Sequence, residues 1–146
     1  LEVGPHGEPR AAVAQLEVDP HHAERVITAI LDLEGGLPRG SSVAVNGAEA
    51  PFGRLEGLAV YLNGTQLDPE VYAVGDLQAT LDALAEATAD SGRLWSYWMG
   101  PLETALYFYG PDANALRAAI VDAAAELPLL ERCRYLTITP DASPEA

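Results

Sequence analysis

The chain has 146 residues, of which 49% are hydrophobic, and its 22 acidic residues against 8 basic ones give a formal charge of −14. This size fits one domain with a substantial core, while the charge argues against binding to nucleic acids or anionic membranes. No apolar run approaches the roughly 20 residues that span a bilayer, and the N-terminus lacks a secretory pattern. We expect an acidic cytoplasmic protein, and whether a leader preceded Leu1 stays open.

The two ends of the chain are rich in Gly, Pro and polar residues. This composition predicts a loose N-terminal arm at residues 1–10 and a loose C-terminal tail at residues 140–146, around a single domain at residues 11–139. At the start of that domain, the alternating segment RAAVAQLEVD predicts a strand. A helix with an apolar stripe along one side is then expected to begin at Asp19.

The central segments combine strand, turn and helix signals. SSVAVNG and LEGLAVYLNGT predict two short strands, each followed by an Asn-Gly turn. The next stretch, QLDPEVYAVG, is predicted as a loop. A second helix begins after Asp76, a suitable N-cap, and carries leucines along one side.

The C-terminal segments complete an alternating order of strands and helices. LWSYWMGPLETALYFYG predicts a hairpin, GPDANALRAAIVDAAAELP a third helix and RYLTITP a last strand. The order is therefore β-α-β-β-α-β-β-α-β, and a ferredoxin-like βαββαβ unit fits either residues 11–99 or residues 57–139. The expected fold is α+β, with a mostly antiparallel sheet and three helices on one face.

The predicted hairpin holds most of the aromatic side chains of the protein. A turn centred on Gly100 and Pro101 pairs Trp98 with Glu103, whereas a three-residue turn pairs Trp98 with Thr104. Side chains alternate between the two faces of a strand. Under the first register, the predicted core face holds Trp95, Tyr97, Met99, Leu102, Thr104, Leu106 and Phe108, and the opposite face holds Leu94, Ser96, Trp98, Glu103, Ala105, Tyr107 and Tyr109.

Both faces of this hairpin carry large aromatic rings. A sheet covered by helices on one side only is usually polar on the other side, so we expect something to cover the second face. The chain itself is one candidate, through a loop such as residues 48–56 or 65–75. A second copy of the protein, a different protein partner and a small ligand are the others.

Other residue patterns give no specific chemical signal. Cys133 stands alone, so an intramolecular disulfide is excluded. His21 and His22 are adjacent, and adjacent helical side chains diverge by about 100°, which is unsuitable for holding one metal ion. The acidic loop that contains Asp68, Glu70 and Asp76 has no EF-hand spacing. The sequence predicts no cofactor, no metal site and no catalytic residues.

Two hypotheses for function follow from these patterns. In the first, the chain is a non-catalytic interaction or regulatory module that forms a homodimer through its aromatic sheet face and offers its acidic surface to a basic protein. In the second, it is a small enzyme or ligand-binding domain with a pocket lined by the hairpin, although the absence of catalytic spacing favours the first. Both hypotheses use the same predicted site residues, which are Trp98, Glu103, Tyr107 and Tyr109.

Overall fold

The structure is a computed structural model that describes residues 1–141, so most of the predicted C-terminal tail lies outside the described residues. In chain order the strands are β1 (Glu2–Val3), β2 (Pro9–Ala11), β3 (Ser41–Val45), β4 (Ala48–Phe52), β5 (Glu56–Asn63), β6 (Arg93–Met99), β7 (Glu103–Gly110) and β8 (Arg134–Thr137). The α-helices are α1 (Ala23–Leu31), α2 (Pro69–Val74), α3 (Leu77–Ala87) and α4 (Ala113–Ala124). Short 3₁₀ helices lie at Pro20–His22, Glu34–Gly36 and Pro128–Leu130.

One antiparallel sheet of four strands organises the second half of the chain. Its strand order is β6-β7-β5-β8, which leaves β6 and β8 at the edges. Strands β1 and β2 form a separate hairpin, as do β3 and β4. The fold therefore mixes helices with antiparallel sheets, as the sequence predicts, but divides its strands among three sheets.

The core lies between the four-stranded sheet and two helices. Leu58 and Val60 of β5, together with Phe108 of β7, are almost completely buried against Leu84 of α3 and Leu116 of α4. The alternation of apolar residues along β5 and β7 places one set of side chains on this face. Helix α1 contributes no residue to this core and contains no buried residue. The predicted arrangement of three helices on one face is therefore not confirmed.

Helix starts follow the capping signals in the sequence. The Asp76 carboxylate accepts a hydrogen bond from the backbone N–H of Ala79 at 3.1 Å, and Asp112 accepts one from that of Asn114 at 2.8 Å. Such caps satisfy N–H groups that have no partner inside the helix. The Asn46-Gly47 turn joins β3 to β4, with both residues at positive φ as a two-residue hairpin requires.

Two local predictions are wrong. Residues 12–18 of the predicted first strand have no regular structure and are exposed, since alternation alone forms no strand without a neighbour, and the four-stranded sheet consists of β6, β7, β5 and β8. The predicted loop after β5 contains α2, whose N-terminus is capped by Asp68 through the N–H of Glu70 at 3.0 Å. Tyr72 ties this helix to the sheet, since its hydroxyl donates to the carbonyl of Asn63 at 2.9 Å. Among residues 1–141, no helix has both the length and the apolar composition needed to cross a bilayer.

Candidate functional site on the aromatic face of the sheet

The hairpin of β6 and β7 turns later than the sequence predicts. Trp98 lies opposite Ala105, and Met99 lies opposite Thr104, so both predicted registers are wrong. The turn consists of Pro101 and Leu102, with the N–H of Gly100 donating to the carbonyl of Glu103 at 2.9 Å. A proline in the turn loses no strand hydrogen bond, which explains why the tight turn forms at this position.

A β-bulge at Trp95 changes the face on which this side chain lies. The pairing shifts between Leu94 and Ser96, so that Leu94 packs against the helix-side core. The Trp95 ring packs instead on Tyr109, with ring centroids 4.6 Å apart. Trp95 was predicted on the core face and Leu94 on the opposite face, and the bulge reverses both assignments because it inserts one unpaired residue.

The face opposite the helices alternates large and small side chains in register across β6, β7 and β5. We call it the aromatic face. One row runs from Trp98 through Ala105 and Tyr61 to Arg134, and the next from Ser96 through Tyr107 and Ala59 to Leu136. Each of the rings of Trp98, Tyr61 and Tyr107 therefore has a small neighbour on an adjacent strand, which gives the rings room to lie along the sheet, whereas Arg134 lies directly beside Tyr61. Trp98, Tyr107 and Tyr109 lie together on this face with Tyr61.

The N-terminal hairpin of β1 and β2 lies beside the aromatic face. A β-carbon added to Gly7, in the turn of this hairpin, would lie 3.9 Å from Cζ2 of Trp98. His6 and Glu8, on either side of Gly7, face the same cavity as Trp98. The sequence leaves open what covers the second face of the sheet. Part of that cover comes from residues 1–10, the segment predicted as a loose N-terminal arm.

A cavity of about 280 Å³ lies between the N-terminal hairpin, the end of β5 and the turn that joins β6 to β7. We call it the hairpin cavity. Its lining combines aromatic, acidic, basic and amide side chains. The lining residues are His6, Glu8, Tyr61, Asn63, Thr65, Gln66, Trp98, Pro101, Leu102, Glu103 and Arg134.

An ion pair between Glu103 and Arg134 forms one wall of the hairpin cavity. Nε of Arg134 lies 2.9 Å from Oε1 of Glu103, and Nη2 lies 2.7 Å from Oε2, a two-point contact. The guanidinium carbon also lies 3.7 Å from the centre of the Tyr61 ring. The hydrogen bonds from Arg134 lower the pKa of the Glu103 carboxyl, and the same pairing raises the pKa of Arg134. Both groups therefore stay charged at neutral pH.

Glu8 is the second carboxylate in the hairpin cavity. Its side chain is only 15% exposed, and its closest cation, Nη2 of Arg10, lies 3.5 Å from Oε1. Hydrogen bonds from its own backbone N–H and from that of His6, which lies 3.0 Å from Oε2, lower the pKa of this carboxyl. The Glu8 carboxylate is thus ionised and held in place by the hairpin backbone.

Tyr107 lies at the centre of the aromatic face and is 7% exposed. Its hydroxyl has no hydrogen-bond partner within residues 1–141. Burial raises the pKa of Tyr107 to about 12, and burial also raises the pKa of Tyr109. Buried polar groups usually have a partner, so this hydroxyl is the exceptional polar atom of the face.

The remaining sequence candidates lie elsewhere. His21 and His22 are exposed in the 3₁₀ turn before α1, and Cys133 is a half-buried free thiol. Asp68 and Asp76 cap helices. Within the described part of the chain, no group of three His, Cys, Asp or Glu side chains is arranged to hold a metal ion.

Sequence reasoning missed three residues of the site, namely Tyr61, Arg134 and Glu8. The alternation of Tyr61 with the core residues of β5 is visible in the sequence and indicates its face. Its neighbours could not be predicted, because they depend on which strands pair with β5. Comparisons with protein-family models, curated proteins and solved structures gave no match. The site must therefore be interpreted from its own geometry.

Proposed function

We propose that this chain is a non-catalytic interaction module of the cytoplasm that forms a homodimer through strand β6 and the aromatic side chains around it, and binds a basic protein. The observation that carries the proposal is the exposure of β6. Trp95, Tyr97 and Met99 are 38%, 52% and 66% exposed on this edge strand. Exposed apolar residues on a sheet edge are typical of a surface that associates.

The backbone of β6 supports the same proposal. The N–H of Gly100 donates to the carbonyl of Glu103, which sets the phase of the antiparallel ladder. Hydrogen-bonded pairs alternate along such a ladder, so the N–H and C=O groups of Tyr97 and Met99 point away from β7. Two copies related by a twofold axis can pair these groups reciprocally and extend the sheet across the dimer.

The predicted site residues contribute to this interface in different degrees. Trp98 and Tyr109 are half-buried, and Glu103 is paired with Arg134, whereas Tyr107 is almost fully covered. In the proposed dimer, the exposed side chains of β6 make the contact, Trp95 from the aromatic face and Tyr97 and Met99 from the helix side of this edge strand. Tyr107 lies on the aromatic face, away from Tyr97 and Met99. The charge of −14 makes the remaining surface suited to a basic protein.

We infer further that residues 57–139 form a ferredoxin-like βαββαβ unit. The strand order supports this inference, because β5 lies between β7 and β8, with β6 outermost. Helices α3 and α4 pack on the same face, as the crossovers of such a unit require. The unit leaves the aromatic face without helices of its own.

Light scattering tests the homodimer. The parent is expected at dimer mass, and the double variant Tyr97→Thr, Met99→Thr at monomer mass, because threonine keeps the strand propensity and removes the apolar contact. The matched control is Val74→Thr, Val121→Thr, which replaces a methyl group by a hydroxyl on two exposed apolar residues of α2 and α4. A parent of monomer mass, or equal masses for the two double variants, contradicts the proposal.

A second candidate function, binding of a small ligand, is favoured by the hairpin cavity. Trp98, Glu8 and the ion pair of Glu103 with Arg134 converge there on one concave site, as in binding pockets generally. The two candidates differ in a measurable way. A ligand-binding domain is expected to shift the indole N–H signal of Trp98 on addition of a small molecule, whatever its oligomeric mass.

A further inference from the structure

We propose that the hairpin cavity binds a cationic side chain, arginine or lysine, presented by a basic protein, with the Trp98 ring and the Glu8 carboxylate as the recognising groups. The inference deepens the proposed function by giving the basic partner a defined binding site. It rests on the proposed function only in assuming that the partner is a basic protein, and it does not require the homodimer.

The size of the hairpin cavity selects a small group. Its volume is about 280 Å³, just below the roughly 300–1,000 Å³ typical of sites for drug-sized ligands. A space of this size accommodates one extended side chain. The cavity is therefore suited to a single residue of a partner protein.

The charges around the hairpin cavity select a cation. Its one arginine, Arg134, is already held at two points by Glu103, so it offers little to an incoming anion. Glu8 is left with a weaker contact to Arg10, whose side chain is 61% exposed and extends towards solvent. Glu8 and Glu103 give the lining two carboxylates against one guanidinium, and this excess of acidic groups attracts a cation.

Of the two aromatic rings in the hairpin cavity, one is covered by a cation and the other is not. The Tyr61 ring is covered by Arg134, which shows how this face accommodates a guanidinium. Trp98 lines the same cavity, and within residues 1–141 no cation lies over its ring. Tryptophan attracts cations most strongly among aromatic residues. The half-buried Trp98 indole and the Glu8 carboxylate therefore provide an aromatic surface and a counter-charge within one cavity.

The rim of the hairpin cavity is fixed by its own hydrogen bonds. Oδ1 of Asn63 accepts from the N–H groups of Thr65 and Gln66 at 3.1 and 2.9 Å. Nδ2 of Asn63 donates to Oε1 of Gln66 at 3.2 Å. Because these bonds are already formed, a ligand does not have to order the loop, and the entropic cost of binding is reduced.

A pair of short peptides tests the proposal on the full chain. The probe is acetyl-Gly-Arg-Gly-amide, and its control contains citrulline, which has nearly the shape of arginine without the charge. We expect the arginine peptide to shift the indole N–H signal of Trp98 saturably in nuclear magnetic resonance spectra, and to bind more weakly as salt is added. The citrulline peptide is expected to bind at least roughly threefold more weakly, since it lacks the cation–π attraction.

Two substitutions identify the recognising groups. Glu8→Gln is expected to weaken the arginine peptide roughly threefold to tenfold, and its control is Glu2→Gln, the same loss of charge at an exposed position of the same hairpin. Trp98→Leu is expected to weaken binding by a similar factor, measured by calorimetry with the fold checked by circular dichroism. Any of three results overturns the proposal. The two peptides bind equally, Glu8→Gln and Glu2→Gln have equal effects, or the indole signal of Trp98 shows no saturable shift.

The same titration separates this proposal from the homodimer. A parent of monomer mass that binds the arginine peptide contradicts the homodimer and supports the hairpin cavity as a cation site. A parent of dimer mass that binds neither peptide supports the homodimer and overturns the cation site.

Discussion

The two faces of the four-stranded sheet are built from the same strands but packed by different rules. On the helix side, aliphatic residues and Phe108 meet α3 and α4 and are almost fully buried. On the aromatic face, rings alternate with alanine and glycine, and the N-terminal hairpin lies beside only part of them. The difference teaches that the helix side supplies most of the buried apolar packing, whereas the aromatic face retains partly exposed and charged groups.

The largest expected effect comes from the helix side of the sheet. Phe108→Ala removes a fully buried ring from the core and is expected to lower the free energy of unfolding by about 3–5 kcal/mol. Urea denaturation followed by circular dichroism measures the change. The control is Trp95→Ala on the aromatic face, which is expected to cost less because that ring is partly exposed. Equal losses for the two variants contradict the division of roles between the faces.

On the aromatic face, the small residues are expected to matter as much as the rings. A β-carbon on Gly57 would lie 2.7 Å from Cγ1 of Ile138 and from Cε1 of Tyr109. Gly57→Ala is therefore expected to cost about 1–3 kcal/mol through overpacking, measured by urea denaturation. In Gly35→Ala the new methyl group meets no atom within 4 Å, and we expect a change below about 0.5 kcal/mol. A neutral Gly57→Ala variant contradicts the tight alternation of large and small residues.

The sequence predicts those elements whose signals are local. Helices α3 and α4 begin after Asp76 and Asp112, and the two strands of the aromatic hairpin stand out by their alternation. The first predicted strand has the same alternation, but it pairs with none of the described strands, so its side chains stay exposed. Helix α2 begins with Asp68 and Pro69, the same signal that correctly predicts a helical turn at Asp19, and was missed because the element is short.

The candidate site was only partly predictable for a different reason. The aromatic cluster is visible in the sequence, but its register depends on a turn of two residues and a bulge at Trp95. Each one-residue change in the turn moves every side chain of a strand to the other face. Arg134 joins Glu103, and Glu8 joins the cavity, through contacts between distant parts of the chain. No local pattern specifies such contacts.

The ion pair on the aromatic face is expected to have a smaller effect that depends on pH. The pKa of Glu103 is lowered from its ordinary value of 4.5 by Arg134. Its stabilisation is therefore fully present above pH 4.5 and is lost as the pH falls through the lower pKa of the folded state. Because both side chains are partly exposed, we expect Glu103→Gln to cost at most about 1 kcal/mol at pH 7.

Urea denaturation of the parent and the Glu103→Gln variant at pH 7 and at pH 2 checks this dependence. The difference between the two proteins is expected to shrink at the lower pH, where protonation of the parent carboxyl weakens the ion pair. Glu86→Gln, an exposed change on α3, is the control for general charge effects and is expected to give no comparable difference. A Glu103→Gln effect that persists unchanged at pH 2 shows that packing, not charge, is the cause.

The smallest expected effect lies beside the largest one in sequence. Tyr107→Phe keeps the buried ring and removes a hydroxyl that has no partner within residues 1–141, so the free energy of unfolding is expected to change by less than about 0.5 kcal/mol at pH 7 or to rise slightly. Because the pKa of Tyr107 is raised to about 12 from 10, folding favours the neutral hydroxyl. The parent therefore keeps this contribution below pH 10 and loses it as the pH rises towards 12. The tyrosinate absorbance of the parent minus that of Tyr107→Phe is expected to show a single ionisation near pH 12. An ionisation near pH 10 would show that the Tyr107 hydroxyl reaches solvent, and that the centre of the aromatic face is less closed than its packing indicates. A loss of stability like that of Phe108→Ala would show that the hydroxyl has a partner.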